Sequence, residues 1–294
     1  MENTRRKPPL EVKEACLSKH TTYHVGGIAL GMFYPKNLEE LISILKYLKK
    51  ENTPYKILGK GSNVIFNNRG FDGYIIKLDF FDNVEIFGRE ITVGAGYSLP
   101  RLAMKACLSN LSGLEFASGI PGTVGGAIFM NAGAYKSDMG YVVSSVKVLT
   151  PDYEVITMSN KECKFHYRTS FFHEHPDYIC LEAHLTLKYG KKDDILALMN
   201  DRKQRRMESQ PLEYPSAGSV FRNPKGDSAG RIIESLGLKG LRIGDAKVSE
   251  KHANFVINVG HATGEDIKAL ILKVQQIVKE KTGIELKIEQ EFVE

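Results

Sequence analysis

Gly119-Ile120-Pro121-Gly122-Thr123-Val124-Gly125-Gly126-Ala127, continuing to Asn131-Ala132-Gly133-Ala134-Tyr135, is the stretch on which the reading of the fold turns. It holds too many glycines for a stable helix or strand, because each glycine inside an element costs roughly 0.5–1 kcal/mol relative to alanine. It is also too apolar for a surface linker. Backbone this bare is useful where a large flat ligand must come close and N–H groups must face its polar edge. A buried system of irregular turns is the other reading of the same residues.

Toward the N-terminus, Leu58-Gly59-Lys60-Gly61-Ser62-Asn63 falls between strand candidates at 55–58 and 64–66. Its glycines let N–H groups turn toward one point, and Ser62 and Asn63 add side-chain donors. The segment is either an ordinary tight turn or a nest for a phosphate or pyrophosphate. Neither the P-loop spacing nor G-x-G-x-x-G is met, since Val64 stands at the third glycine's place. Together with the run at 119–135, the segment favours cofactor binding.

Around these segments the chain alternates short strands, glycine turns and occasional helices. Asn37 and Glu40 form a capping pair before Leu38, Leu41, Ile42, Leu45 and Leu48 at helical spacing. Strand candidates follow at 74–78, 84–86 and 91–93, and Ser98 is placed to cap a helix bearing Leu99, Leu102, Ala103 and Ala106. Ile179, Leu181, Ala183, Leu185 and Leu187 alternate with polar residues as a half-buried strand. A charged helix is expected over 193–207, and a linker over 210–216 with Pro211 and Pro215. Beyond it, Ser228 caps a helix stopped by Gly237, and Phe255, Ile257 and Val259 alternate as a strand. Thr263 and Asp266 cap a helix with Ile267, Leu270, Ile271, Val274, Ile277 and Val278, ended by Gly283. Ile284, Leu286 and Ile288 then read as a last strand. The expected fold class is α+β.

Four further segments have side chains suited to chemistry. In Tyr167-Arg168-Thr169-Ser170 the guanidinium suits a carboxylate or phosphate, or a surface ion pair. In Ser216-Ala217-Gly218-Ser219-Val220-Phe221-Arg222-Asn223-Pro224, Ser219 lies among small residues, either reachable from a cleft or simply a turn serine. No G-x-S-x-G elbow surrounds it, which argues against a serine hydrolase. Lys247-Val248-Ser249-Glu250-Lys251-His252-Ala253-Asn254-Phe255 places polar groups before a buried strand, as at a site rim or in a solvated loop. Glu289 shares a face with other charged residues. His173-Glu174-His175 lacks metal-ligand spacing and is read as a surface loop, so no metal is expected.

Composition bounds the remainder. A 42% hydrophobic and 26% charged chain of 294 residues can bury a real core, in one large or two smaller domains. The net charge of +5 is interspersed, which suits an anionic substrate without requiring one. The basic cluster at 202–206 has no RNA-binding motif or aromatic pattern beside it, so no nucleic-acid partner is expected. Cys16, Cys107, Cys163 and Cys180 form neither a disulfide framework nor a zinc knuckle and are expected to be reduced, with Cys107 in the core. The stretch from Met1 to Leu10 leads into no apolar core of a secretory signal, and no run is long enough to span a bilayer. A cytoplasmic protein with no membrane partner is expected.

In order and spacing these segments resemble the UDP-N-acetylenolpyruvoylglucosamine reductase family over nearly the whole chain, from His20-Thr21-Thr22-Tyr23-His24-Val25-Gly26-Gly27 to Glu289. The most specific pieces are 120–126 with 130–133, then 217–221 and 251–255. The resemblance implies a flavoenzyme that reduces the enolpyruvyl group of UDP-N-acetylglucosamine enolpyruvate to UDP-N-acetylmuramate, in peptidoglycan precursor synthesis. It implies an FAD-binding region of the vanillyl-alcohol-oxidase type over 1–210, a smaller α/β substrate domain over 216–281, and a closing strand, 284–294, returning to the first. NADPH would reduce FAD, and flavin N5 would deliver hydride to the terminal vinyl carbon. Arg168 would hold the substrate carboxylate, Ser219 would protonate the adjacent carbon, and Glu289 would assist. FAD would be cradled by Gly59, Lys60, Gly61, Ser62, Asn63, Gly119, Ile120, Pro121, Gly122, Thr123, Val124, Gly125, Gly126, Asn131, Gly133 and Ala134. Tyr167, Arg168, Asn223, His252 and Asn254 would contact the substrate. The chain departs from the pattern at Asp245, in ending without the usual closing glycine, and in lacking a tyrosine-bearing lid insertion between Arg168 and Ser219. The rival readings are another flavin oxidase on the same scaffold and a nucleotide-binding module without catalysis.

Overall fold

The computed structural model describes residues 8–294. The charged start at 1–7, read above for a leader, lies outside the described residues. The chain divides into two compact units. The first holds the described residues up to Val12, then Phe33–Gly59 and Ile75–Arg205; the second holds Lys13–Met32, Lys60–Tyr74 and Arg206–Glu294. The sequence suggested one main division near 210–216. The compact units instead draw two N-terminal segments into the C-terminal portion.

The first unit is built on a five-stranded antiparallel sheet in the order Val155–Ser159, Val143–Leu149, Ile179–Thr186, Glu90–Gly94, Val84–Phe87. The alternation read in Ile179–Thr186 has its cause in this register. Ala183 lies opposite Val146 on one side and Val93 on the other, and all three are fully buried. The helix Leu38–Lys50 starts as expected, with the Glu40 N–H donating to Asn37 Oδ1 at 2.9 Å. Ser98 precedes the helix Leu99–Leu108 but its side chain makes no cap bond. Pro100 stands at the second helical position and has no N–H to donate to the Ser98 hydroxyl.

The glycine run departs most from expectation. Val124–Met130 is a helix. Thr123 caps it, accepting from the Gly126 N–H at 3.3 Å, and Val124, Ala127 and Ile128 form its buried face. Burial of that face outweighs poor local propensity, as it commonly does in proteins. Gly125 is needed for the packing, because a Cβ there would sit 3.0 Å from the Ala95 Cβ. The 173–175 stretch is likewise no simple surface loop. The helix Phe171–Glu174 includes His173, whose ring lies 4.3 Å from that of Phe129, and His175 stacks on Phe171 at 4.1 Å.

The core of the second unit is organised by the helix Gly264–Thr282, with Ile267, Leu270, Ile271, Val274 and Val278 turned inward. Thr263 and Asp266 form a reciprocal capping box and Gly283 closes the helix at φ +73°. Each such side chain contributes about 1.5–3 kcal/mol when removed from water. The helix Ala229–Ser235 and the sheet Arg242–Ile243, Ala246–Val248, Val256–Asn258 complete this core, joined by Tyr23, Val25 and Ile65 from the N-terminal segments.

The closing segment differs from its reading. Residues 284–288 keep the expected alternation of burial but form only one bridge, Ile288 to Phe221. The regular strand is Glu291–Val293, which runs parallel to Val64–Phe66. Among the described residues no helix is long and apolar enough to cross a membrane.

Candidate active site

In the first unit, the end of the Val124–Met130 helix builds the turn that carries Arg168. His166 and Thr169 exchange backbone hydrogen bonds of 3.0 and 3.1 Å, so Tyr167 and Arg168 occupy a two-residue tip, with Arg168 at φ +57°. Both ends of the tip are tied to the helix. Asn131, itself left-handed at φ +41°, donates through Nδ2 to the His166 carbonyl at 2.8 Å and accepts the Gly140 N–H through Oδ1 at 2.9 Å. The Ser170 hydroxyl donates to the Phe129 carbonyl at 2.6 Å. Tyr167 is exposed, and the Arg168 guanidinium carbon lies 5.5 Å from its ring centroid. Of Asn131, expected as a cofactor contact, one end of the amide holds this turn and the other holds the Met139–Tyr141 segment.

The glycines of the two segments fall into distinct classes. A Cβ on Gly59 would meet the Thr123 hydroxyl at 2.8 Å, and one on Gly61, at φ +65°, would lie 2.1 Å from the His20 carbonyl oxygen. One on Gly133 would lie 2.5 Å from Ser137 O and Asp138 Cβ. These glycines serve internal packing. A Cβ on Gly122 would meet nothing within 4 Å. That glycine faces open space. Lys77 was not singled out from the sequence. It is buried, donates to the Gly59 carbonyl and lies 3.9 Å from Asp79. The available signal was a lysine embedded in Tyr74-Ile75-Ile76-Lys77-Leu78, since a buried ammonium needs partners.

In the second unit, three stretches lie side by side around Ser219. The Val220 N–H donates to the Asn254 carbonyl at 2.9 Å, and Ser219 bridges Phe255. On the other side, the Glu289 N–H donates to the Val220 carbonyl and the Arg222 N–H to the Lys287 carbonyl, both at 2.8 Å. Ser219 and Glu289, seventy positions apart in the chain, thus come from adjoining backbone segments, and both are half-buried. Asn63 belongs to the same assembly: its Nδ2 donates to the Glu289 carbonyl at 3.1 Å, and its own carbonyl accepts the Glu291 N–H at 2.9 Å. Gly218 takes φ +75°, and a Cβ there would again meet nothing within 4 Å.

The remaining expected contacts have structural bonds of their own. Asn254 is buried and pairs with the Phe221 backbone like a strand neighbour, Oδ1 accepting at 2.9 Å and Nδ2 donating at 2.8 Å. Asn223 Oδ1 accepts the Ala229 N–H at 3.0 Å, at the start of the Ala229–Ser235 helix. His252 Nδ1 accepts the Asn254 N–H at 3.2 Å, and its ring meets the edge of Phe255 at 4.8 Å. Burial holds the His252 imidazolium below its usual range. Two residues absent from the expected set, Tyr23 and Gln290, join through a 3.0 Å hydrogen bond beneath Ser219.

The family described as "UDP-N-acetylenolpyruvoylglucosamine reductase, C-terminal domain" matches residues 210–293, and an FAD-binding domain family matches 29–159. The UDP-N-acetylenolpyruvoylglucosamine reductase of Caldanaerobacter subterraneus subsp. tengcongensis is 46% identical over 277 residues, which is 94% of this chain and 91% of that protein. The chain belongs to the UDP-N-acetylenolpyruvoylglucosamine reductase family. The family member of Bacillus subtilis is 40% identical over 278 residues, covering 94% of this chain and 92% of that protein. The crystal structure of the reductase from Thermus caldophilus aligns with a TM-score of 0.83 at 36% identity, over 97% of this chain and 99% of that one. The α+β class, with an FAD-binding domain and a smaller C-terminal domain, is that of the family.

Proposed function

We propose that this chain carries out the family reaction, the reduction of the enolpyruvyl group of UDP-N-acetylglucosamine enolpyruvate to UDP-N-acetylmuramate in peptidoglycan synthesis. FAD, when bound, supplies the hydride and is renewed by NADPH. Arg168, presented at the tip of its tight turn, holds the substrate carboxylate and stabilises the negative charge that develops beside it. The Ser219 hydroxyl gives its proton to the carbon bearing that carboxylate, completing addition of hydride and proton across the double bond. A serine is a weak acid, so Glu289 assists it. Donation of this kind contributes roughly 10²–10⁴ in rate. The observation that supports these roles is the pairing of the Ser219 and Glu289 segments through the Val220 carbonyl.

Asn131 and Asn254 act in this reading as clamps on the catalytic segments. Gly122 and its neighbours 119–126 admit the cofactor, aided by 59–63. The regions 1–210 and 216–281 are proposed to serve FAD and substrate respectively. The proposed partners are small molecules alone, without nucleic acid or membrane. The proposed compartment is the cytoplasm, with which four free cysteines are consistent.

The test is visible absorption without oxygen. Flavin colour should bleach with NADPH and return with the enolpyruvyl nucleotide sugar. In Ser219→Ala, bleaching should persist and the return should slow by about 10²–10⁴. Equal slowing of both steps would remove Ser219 from its role. A folded protein that takes up no FAD would overturn the whole assignment.

A further inference from the structure

We propose that Tyr23 and Gln290 form a positioning pair that aims the Ser219 hydroxyl and fixes its spacing from Glu289. The inference rests on reading Ser219 as the proton donor. Tyr23 is fully buried and Gln290 is 4% exposed, in a core otherwise made of Val25, Ile65, Val220 and their apolar neighbours. The Tyr23 hydroxyl donates to Gln290 Oε1 at 3.0 Å. Gln290 Nε2 then faces three successive carbonyls, those of Ala217, Gly218 and Ser219, at 3.0, 3.2 and 3.4 Å. Three consecutive carbonyls gathered on one donor require a curled backbone, which Gly218 permits through its positive φ.

The orientation of the amide is determined by its surroundings. Reversed, it would turn its oxygen toward three carbonyl oxygens, a repulsive arrangement. Burial pushes ionisation of the Tyr23 hydroxyl well above the ordinary phenol range, so this group remains a donor. The pair is anchored in turn, because Asn258 Nδ2 donates to the Tyr23 carbonyl at 3.1 Å. A buried amide and phenol cost stability unless fully satisfied, whereas two apolar side chains could fill the same space. What the polar pair adds is a single conformation for the loop that ends in Ser219. Gln290 also follows Glu289 directly in the chain, so one side chain locates the proton donor and its neighbouring carboxylate together.

Anaerobic stopped-flow on the flavin-loaded full chain tests this by separating the two half-reactions. Tyr23→Phe keeps the ring and the core but releases the amide. Its flavin should bleach with NADPH within twofold of the wild-type rate, while the return of colour with the enolpyruvyl nucleotide sugar should slow about tenfold, the equivalent of one net hydrogen bond. Gln290→Leu should slow the return further, and adding Tyr23→Phe to it should change nothing more. Introduced into Ser219→Ala, Tyr23→Phe should have no further effect on the return. If Ser219→Ala itself does not slow the return, the proton-donor reading fails and this inference with it. If Ser219→Ala slows it and Tyr23→Phe does not, only the positioning pair is overturned. Slowing of both half-reactions alike, or an undiminished effect of Tyr23→Phe in the Ser219→Ala background, would assign the pair to stability and overturn the proposal.

Discussion

Asn131→Gly and Asn131→Ala separate two contributions that asparagine makes at the end of the Val124–Met130 helix. The side chain is 2% exposed and forms two hydrogen bonds with backbone groups, the His166 carbonyl and the Gly140 N–H. Removing it leaves both groups without that partner, at about 1–3 kcal/mol each. Asn131→Gly should therefore lose about 2–5 kcal/mol, tempered by the ease with which glycine takes φ +41°. Asn131→Ala loses the same bonds and must hold a left-handed backbone as well, which adds about 1–2 kcal/mol. Urea unfolding followed by circular dichroism should rank the proteins wild type, then glycine, then alanine. The turn bearing Arg168 is loosened in both variants, so the Michaelis constant for the nucleotide sugar should rise in both. Alanine equal to or better than glycine would refute the backbone argument. Two variants within about 0.5 kcal/mol of wild type would refute the clamp itself, since even one lost buried bond exceeds that.

Gly122→Leu places a side chain where the protein has no atoms within 4 Å of a Cβ, so its unfolding curve should match wild type while the purified protein lacks flavin absorbance. Retained flavin at full occupancy would move the cofactor away from this space. His252 should give an acid-side loss of stability, because burial lowers its folded-state pKa and the unfolded chain takes up a proton first. Its contribution is complete above the ordinary value of 6.5 and declines as pH falls from there through the lowered value. Thermal melts of His252→Asn, which keeps an acceptor for the Asn254 N–H, should show a flatter pH dependence in that window; an unchanged slope would show that another group is responsible.

Local order was legible where local chemistry determines it. The Gly264–Thr282 helix announced itself through apolar spacing, a Thr263–Asp266 cap and Gly283, because each signal lies within a turn or two of the element. The Val124–Met130 helix gave the opposite signal, since its glycines disfavour a helix and only contact with Ala95 and burial of Val124, Ala127 and Ile128 explain it. The 284–288 stretch alternated correctly, but alternation reports burial and not ladder partners, and its neighbour is the irregular 220–222 segment. At the site, the residue types were informative about chemistry and silent about use. Asn131 and Asn254 have the donors and acceptors expected of ligand contacts, yet each completes a backbone elsewhere in its own unit. Tyr23 and Gln290 were invisible as a pair because 267 positions separate them.

The parallel pairing of Glu291–Val293 with Val64–Phe66 sets a schedule for biosynthesis. As the chain leaves the ribosome, Tyr23, Val25 and Ile65 emerge early, while the side chains that will cover them arrive only from Ala217 onward. The second unit cannot close until Glu291–Val293 has emerged, and during that interval its early segments present apolar surface to whatever binds nascent chains. The same timing means that a fragment cut at 210–293, where the family match begins and ends, would lack three members of its own interior.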